Sequence, residues 1–245
     1  MLFRTTPKCT DMPYIDDVLT MLDANLAEEK HTLRKIVANF SNEDLFEKAA
    51  IIANCLQITC HIGKAGEIKE FIRDELPLLY EWEEFDTAEG LTYGLYLTDF
   101  AVQNPEIAIC EVILFFHSLK VKLNGIDLPD EILQVEEQYR SFLAVYAIYS
   151  GFGLFFLERV WITGRYQFSD EPNAFSLKYY FPFNTDGLIY GTALSVALDD
   201  ENEQDLNPPS GIPFSKEISK ELKICKNYIE KNNIVSRLRN RFSLK

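Results

Sequence analysis

The sequence predicts a mainly α-helical protein, built as a helical bundle or as stacked helical hairpins. Three observations predict it. Apolar residues recur at three-or-four spacing through most of the first two thirds of the chain. Residues that start helices (Asp, Ser, Pro) stand just ahead of those runs. The 245 residues are 47% hydrophobic and 25% charged, an ordinary globular composition that can fill a core. The exception is an aromatic-rich stretch near 165–183, which reads as a small β-hairpin or an irregular segment.

A first helix is expected from Pro13 to about Phe40. Asp11 can cap it, and Pro13 falls in the first turn, where a missing N–H is no loss. Ile15, Leu19, Leu22, Leu26, Leu33, Ile36 and Val37 keep the period with one gap. A second helix opens at Ser41, a capping residue, with Asp44 favouring the positive helix end, and runs to about Thr59. Gly63 and Gly66 bracket a short break. A third helix is expected from Glu67, with Pro77 as its kink or stop.

Tyr80-Glu81-Trp82-Glu83-Glu84-Phe85-Asp86 is an acidic-aromatic run, followed by an apolar stretch from Gly90 to Val102. Pro105 opens a helix that continues to Lys122 and ends at Asn124-Gly125. Pro129 begins the longest helical pattern, which reaches about Trp161. Within it, Phe142 to Leu157 carries no charge over 16 residues, short of the roughly 20 that a spanning helix needs. A core helix surrounded by neighbours is the expected reading.

After Gly164, Arg165–Phe168 and Phe175–Phe181 partly alternate around a Ser-Asp-Glu-Pro-Asn turn cluster, the pattern of a small hairpin. A helix follows from Gly187 to about Leu198. Asp199 to Gly211 is polar, acidic and rich in turn residues, hence a linker. A last helix starts at Ser215, its expected cap. This divides the chain into an acidic helical domain, 1–211, with the 165–183 hairpin as a subdomain, and a basic C-terminal helix, 212–245, docked on it. Glu89-Gly90-Leu91-Thr92-Tyr93-Gly94 also echoes Asp186-Gly187-Leu188-Ile189-Tyr190-Gly191. The flanks do not align, so the pair reads as two helix starts that converged on similar capping.

Charge narrows the function. The chain carries −14 overall with a pI near 4.7, a field that repels phosphate backbones and anionic membranes and attracts basic proteins. It is unevenly spread: residues 216–245 hold nine Lys and Arg against three Glu, net +6, leaving −20 on the rest. Neither direct nucleic-acid binding nor membrane binding is expected. The basic helix is expected to dock on its own acidic body or on a second copy. Cys9, Cys55, Cys60, Cys110 and Cys225 are an odd, scattered set inside apolar stretches, which points to thiols in a reducing, cytoplasmic compartment. Cys55, Cys60 and His61 lie close together but lack the ligands to complete a zinc site.

No nucleophile elbow, phosphate-binding loop or zinc-protease motif is present in the sequence, and no catalytic residue, metal or cofactor is expected. His31 stands in a charged stretch, His61 at an expected helix end, and His117 in an apolar helix. The leading expectation is an acidic protein-interaction module that binds, and so inhibits or scaffolds, a basic partner, in the manner of an immunity or inhibitor protein. Its contact residues would be Glu81, Trp82, Glu83, Glu84 and Asp86, where Trp beside acids suits a hot spot, and the loop acids Asp199, Asp200, Glu201, Glu203 and Asp205. One alternative is an enzyme pocket lined by His117, Glu158, Arg159 and Tyr190. The other is an inhibitor whose carboxylates mimic the phosphates of DNA.

Overall fold

A computed structural model describes residues 5–26, 44–66, 79–88, 90–159, 165–167, 176–178, 183–198, 206, 208 and 213–243. In chain order the elements are α1 (Met12–Leu26), α2 (Leu45–Cys55), β1 (Cys60–Lys64), β2 (Tyr80–Thr87), β3 (Gly90–Leu97), α3 (Asp99–Gln103), α4 (Pro105–Leu123) and α5 (Asp130–Gln134). There follow α6 (Glu136–Ala147), a π turn (Ile148–Phe152), α7 (Gly153–Glu158), β4 (Arg165–Gln167), β5 (Ser176–Lys178), α8 (Thr185–Ala197), α9 (Lys216–Lys231) and α10 (Ile234–Ser243). The protein is mainly α-helical with a small β component, as expected. The chain forms two compact units, Phe40–Asp127 and a larger one made of Met1–Asn39 with Leu128–Lys245.

In the Phe40–Asp127 unit, α2 opens with a reciprocal cap. The Glu47 N–H donates to Asp44 Oδ1 at 2.8 Å, and the Asp44 N–H donates to Glu47 Oε2 at 3.4 Å. Asp44 is therefore the cap, not a first-turn acid; Ser41 lies outside the described residues. Leu45, Ala49, Ile52 and Ala53 form the buried stripe. The helix stops at Cys55 rather than near Thr59, because Gln57 adopts φ 55° and turns the chain.

The sheet that follows departs most from expectation. β1 pairs parallel to β3, and β2 pairs antiparallel to β3, in the order β1-β3-β2. His61 thus sits in a strand instead of at a helix end. The apolar stretch after Gly90 is a strand in which Tyr93, Leu95 and Leu97 are buried, the period-two signature of a half-buried sheet. Only at Asp99 does the chain turn helical, capped by the Thr98 hydroxyl. Pro105 then starts α4, buried on nearly every side and packed on α2. The third helix expected from Glu67 lies outside the described residues.

In the larger unit, α1 begins at Met12, one residue after Asp11, and packs on α6, α8 and α10. Its expected continuation to Phe40 lies outside the described residues. α6, the π turn and α7 make one helical run, Glu136–Glu158, the core of the long pattern expected after Pro129. By length and composition this run could cross a membrane, yet 78% of its most apolar window is buried inside the protein. Its break comes at Gly151, whose φ of 104° is open to glycine and strained for other residues. Ser195 Oγ of α8 donates to the Ile148 carbonyl at 3.1 Å, at the start of that break. β4 and β5 pair antiparallel, Arg165 opposite Lys178, in the stretch where a hairpin is expected.

The two echoing segments fold differently. Gly90–Gly94 belongs to strand β3 and Gly187–Gly191 to helix α8, so they are not two helix starts. α9 is capped as expected, the Ile218 N–H donating to Ser215 Oγ at 3.2 Å. α10 meets α1 through charge. Arg239 Nε donates to Asp23 Oδ2 at 3.3 Å, and Arg239 Nη2 to the Leu198 carbonyl at 2.7 Å. Arg241 lies 3.7 Å from Asp17.

Candidate functional site

The acidic-aromatic run is strand β2, and its position in the sheet decides what it can do. Alternation puts Tyr80, Trp82, Glu84 and Asp86 on one face and Glu81, Glu83, Phe85 and Thr87 on the other. The first face looks towards α4. The Tyr80 and Trp82 rings lie 5.1 and 5.7 Å from the Phe115 ring, and Lys122 Nζ is 2.5 Å from Glu84 Oε2. Even so, Trp82 remains 50% exposed.

The opposite face is open. Tyr96 of β3 donates its hydroxyl to Glu83 Oε1 at 2.5 Å, and the Glu83 carboxylate holds that phenol above its ordinary pKa. The Tyr96 ring lies across Gly94, where any Cβ would come within 2.9 Å of it, so the glycine makes room for the ring. His61 of β1 meets the same ring edge-on, with centroids 6.2 Å apart. Phe85 on this face is 38% exposed. Glu81 and Asp86 have no side-chain bond among the described residues. From Glu81 to Thr87 every residue is exposed.

The structure thus gathers Glu81, Trp82, Glu83, Glu84 and Asp86 into one exposed strand. The loop acids Asp199, Asp200, Glu201, Glu203 and Asp205 lie outside the described residues, as does His31. Sequence reasoning missed the side chains that fix this strand: Phe115 and Lys122 of α4, and Tyr96 of β3. The period-two spacing of Leu91, Tyr93, Leu95 and Leu97 is the signal that could have found β3.

The four residues of the alternative pocket each have their own local partners. His117, in the smaller unit, is fully buried and donates from Nδ1 to the Ile113 carbonyl at 2.7 Å. Burial, with Lys120 nearby, pushes its pKa down to about 4, so the imidazole is neutral. In the larger unit, Glu158 pairs with its neighbour Arg159 at 3.4 Å, and the Arg159 guanidinium stacks 3.5 Å from the Phe155 ring centroid. Tyr190 donates its hydroxyl to Asp16 Oδ1 at 2.7 Å. Burial raises both the Tyr190 phenol and the Asp16 carboxyl above their usual values.

The cysteines are equally quiet. All five are thiols, and burial pushes Cys9 and Cys60 up to about 11, away from the reactive thiolate. Among the described residues no three His, Cys, Asp or Glu side chains converge as metal ligands would. A cleft of about 370 Å³ opens where α8 and α9 begin, lined by Lys8, Asp186, Glu217 and Glu221 among others. Its charges partly answer one another, Lys8 lying 3.9 Å from Glu217. No protein-family model, curated protein or solved structure matches the chain.

Proposed function

We propose that the protein is an acidic interaction module that binds a basic partner protein through strand β2. One observation carries this reading: four carboxylates and two exposed aromatic rings occupy a single strand that is exposed from Glu81 to Thr87, although one of its faces looks towards α4. Aromatic side chains beside charge supply contact area at low entropic cost, the usual make-up of a binding hot spot. The charge of −14 supports the choice of a basic partner, since long-range attraction speeds encounter. A module of this kind that covers a partner's working surface would inhibit it, which is the immunity- or inhibitor-type role. The five thiols favour a reducing compartment such as the cytoplasm.

The test compares two charge reversals in affinity capture from native lysate. Glu81→Lys with Asp86→Lys alters β2, while Asp127→Lys with Glu131→Lys makes the same change of charge elsewhere. The β2 variant should lose the salt-eluted partner and the control should keep it. Equal capture by both variants would remove β2 from the binding surface. Release of the partner by duplex DNA would assign the phosphate-mimic mode.

A further inference from the structure

We infer that the outer face of α9 is a second docking surface, opposite in charge to β2, which takes an acidic helical segment of another protein. The inference stands independently of the reading of β2. Lys216, Lys220, Lys223, Asn227 and Lys231 follow one another along α9 at three- or four-residue spacing. At roughly 3.6 residues per turn they fall within about 80° of arc and run about 22 Å along the axis. All five are exposed. On the opposite side Leu222, Cys225 and Ile229 are buried, and the helix packs on α8.

This stripe does nothing for the fold. The basic segment is seated electrostatically by α10, whose Arg239 and Arg241 reach Asp23 and Asp17. Among the described residues Lys216, Lys220, Lys223 and Lys231 join no ion pair. The exposed acids of α9 are turned to other cations, Glu217 lying 3.9 Å from Lys8 and Glu230 4.0 Å from Lys226. Nor does the stripe suit its own helix. Lys216 stands in the first turn, at the positive end of the dipole, where a cation is unfavourable. Lys220 has a like charge four residues before it and another three residues after it, a spacing that weakens a helix. Local choices that cost the fold and return nothing to it mark a surface kept for function.

Charge selects the occupant. Residues 1–215 carry −20, and a phosphate backbone or an anionic membrane would set an extended negative field against all of it. A second copy brings −14 of its own. An acidic helix confines its charge to one line, and glutamates at three- and four-residue spacing match the stripe over its whole length. Lysine suits such contacts, because its flexible stem lets each ammonium find a carboxylate without the fixed fork of a guanidinium.

The probe is a fluorescein-labelled, alanine-rich helical peptide with glutamates along one face. Its control has the same composition with the glutamates spread around the helix. Anisotropy at low salt should show the first binding more tightly, and added salt should release it. Lys220→Glu with Lys223→Glu should weaken binding about tenfold, the scale of two exposed ion pairs lost. Lys48→Glu with Lys64→Glu, the same change of charge on other elements, should bind nearly as the wild type does. The deciding readout is the urea midpoint of the α9 variant, which should hold or rise because like-charge contacts are removed. A fall in that midpoint would show that the lysines serve the fold and would overturn the inference. Equal binding of the two peptides, or of the two variants, would do the same. Tighter binding of duplex DNA or phosphatidylserine vesicles than of the peptide would overturn it in favour of phosphate. Self-association of the protein that the α9 variant abolishes would overturn it in favour of a second copy.

Discussion

Burial sets the protonation state of His117, and through it part of the protein's response to acid. The folded imidazole titrates near 4 and the unfolded one near 6.5. A depressed folded value means that its stabilising effect is complete above pH 6.5 and is lost as pH falls towards 4. The total is about 3 kcal/mol, from the pKa difference alone. Urea unfolding of the wild type should therefore weaken between pH 7 and 4.5 more steeply than that of His117→Gln, even if the variant starts lower. Parallel decline in the two proteins would show that another group titrates. Chemically, the same burial that makes His117 a pH-sensitive core residue removes it from solvent and so from general acid–base work.

At the scale of elements, the reciprocal bonds between Asp44 and Glu47 tie down the start of α2. Asp44→Ala should cost about 1 kcal/mol in chemical unfolding, and Asp44→Ser much less, because a serine hydroxyl can also cap. An unchanged midpoint in Asp44→Ala would mean that packing alone holds the helix. Signals of this local kind are readable in sequence: Pro105 and Ser215 mark helix starts where the structure has them. The sheet was not readable in that way, since strand pairing depends on residues distant in the chain. Gly-Leu-Thr-Tyr-Gly is a strand and Gly-Leu-Ile-Tyr-Gly a helix, so these five-residue patterns do not decide the outcome; the neighbours do. The candidate site was half legible for the same reason. Composition marks Tyr80–Asp86 as acidic and aromatic, but its pairing as a strand comes from β3, and its surroundings from Phe115, Lys122 and Tyr96.

For the whole molecule, uneven charge is an organising feature. In the larger unit a basic helix lies on an acidic one, with Arg239 and Arg241 against Asp23 and Asp17. These pairs are partly exposed, so salt should screen them. Hydrogen exchange in α10 should quicken as ionic strength rises, while the buried amides of α8 hold steady. Arg239→Ala, which also removes the bond to the Leu198 carbonyl, should reproduce that loosening at low salt. Equal protection of α10 in all conditions would show that apolar packing alone seats it. The break in the longest helical run has a different kind of consequence. At Ile148, where the run passes from α-helical to π-helical turns, the carbonyl accepts a hydrogen bond from Ser195 Oγ of α8. Hydrocarbon offers no such donor. The run Glu136–Glu158 is thus as apolar as a membrane span, yet at its break it meets a polar side chain of a neighbouring helix.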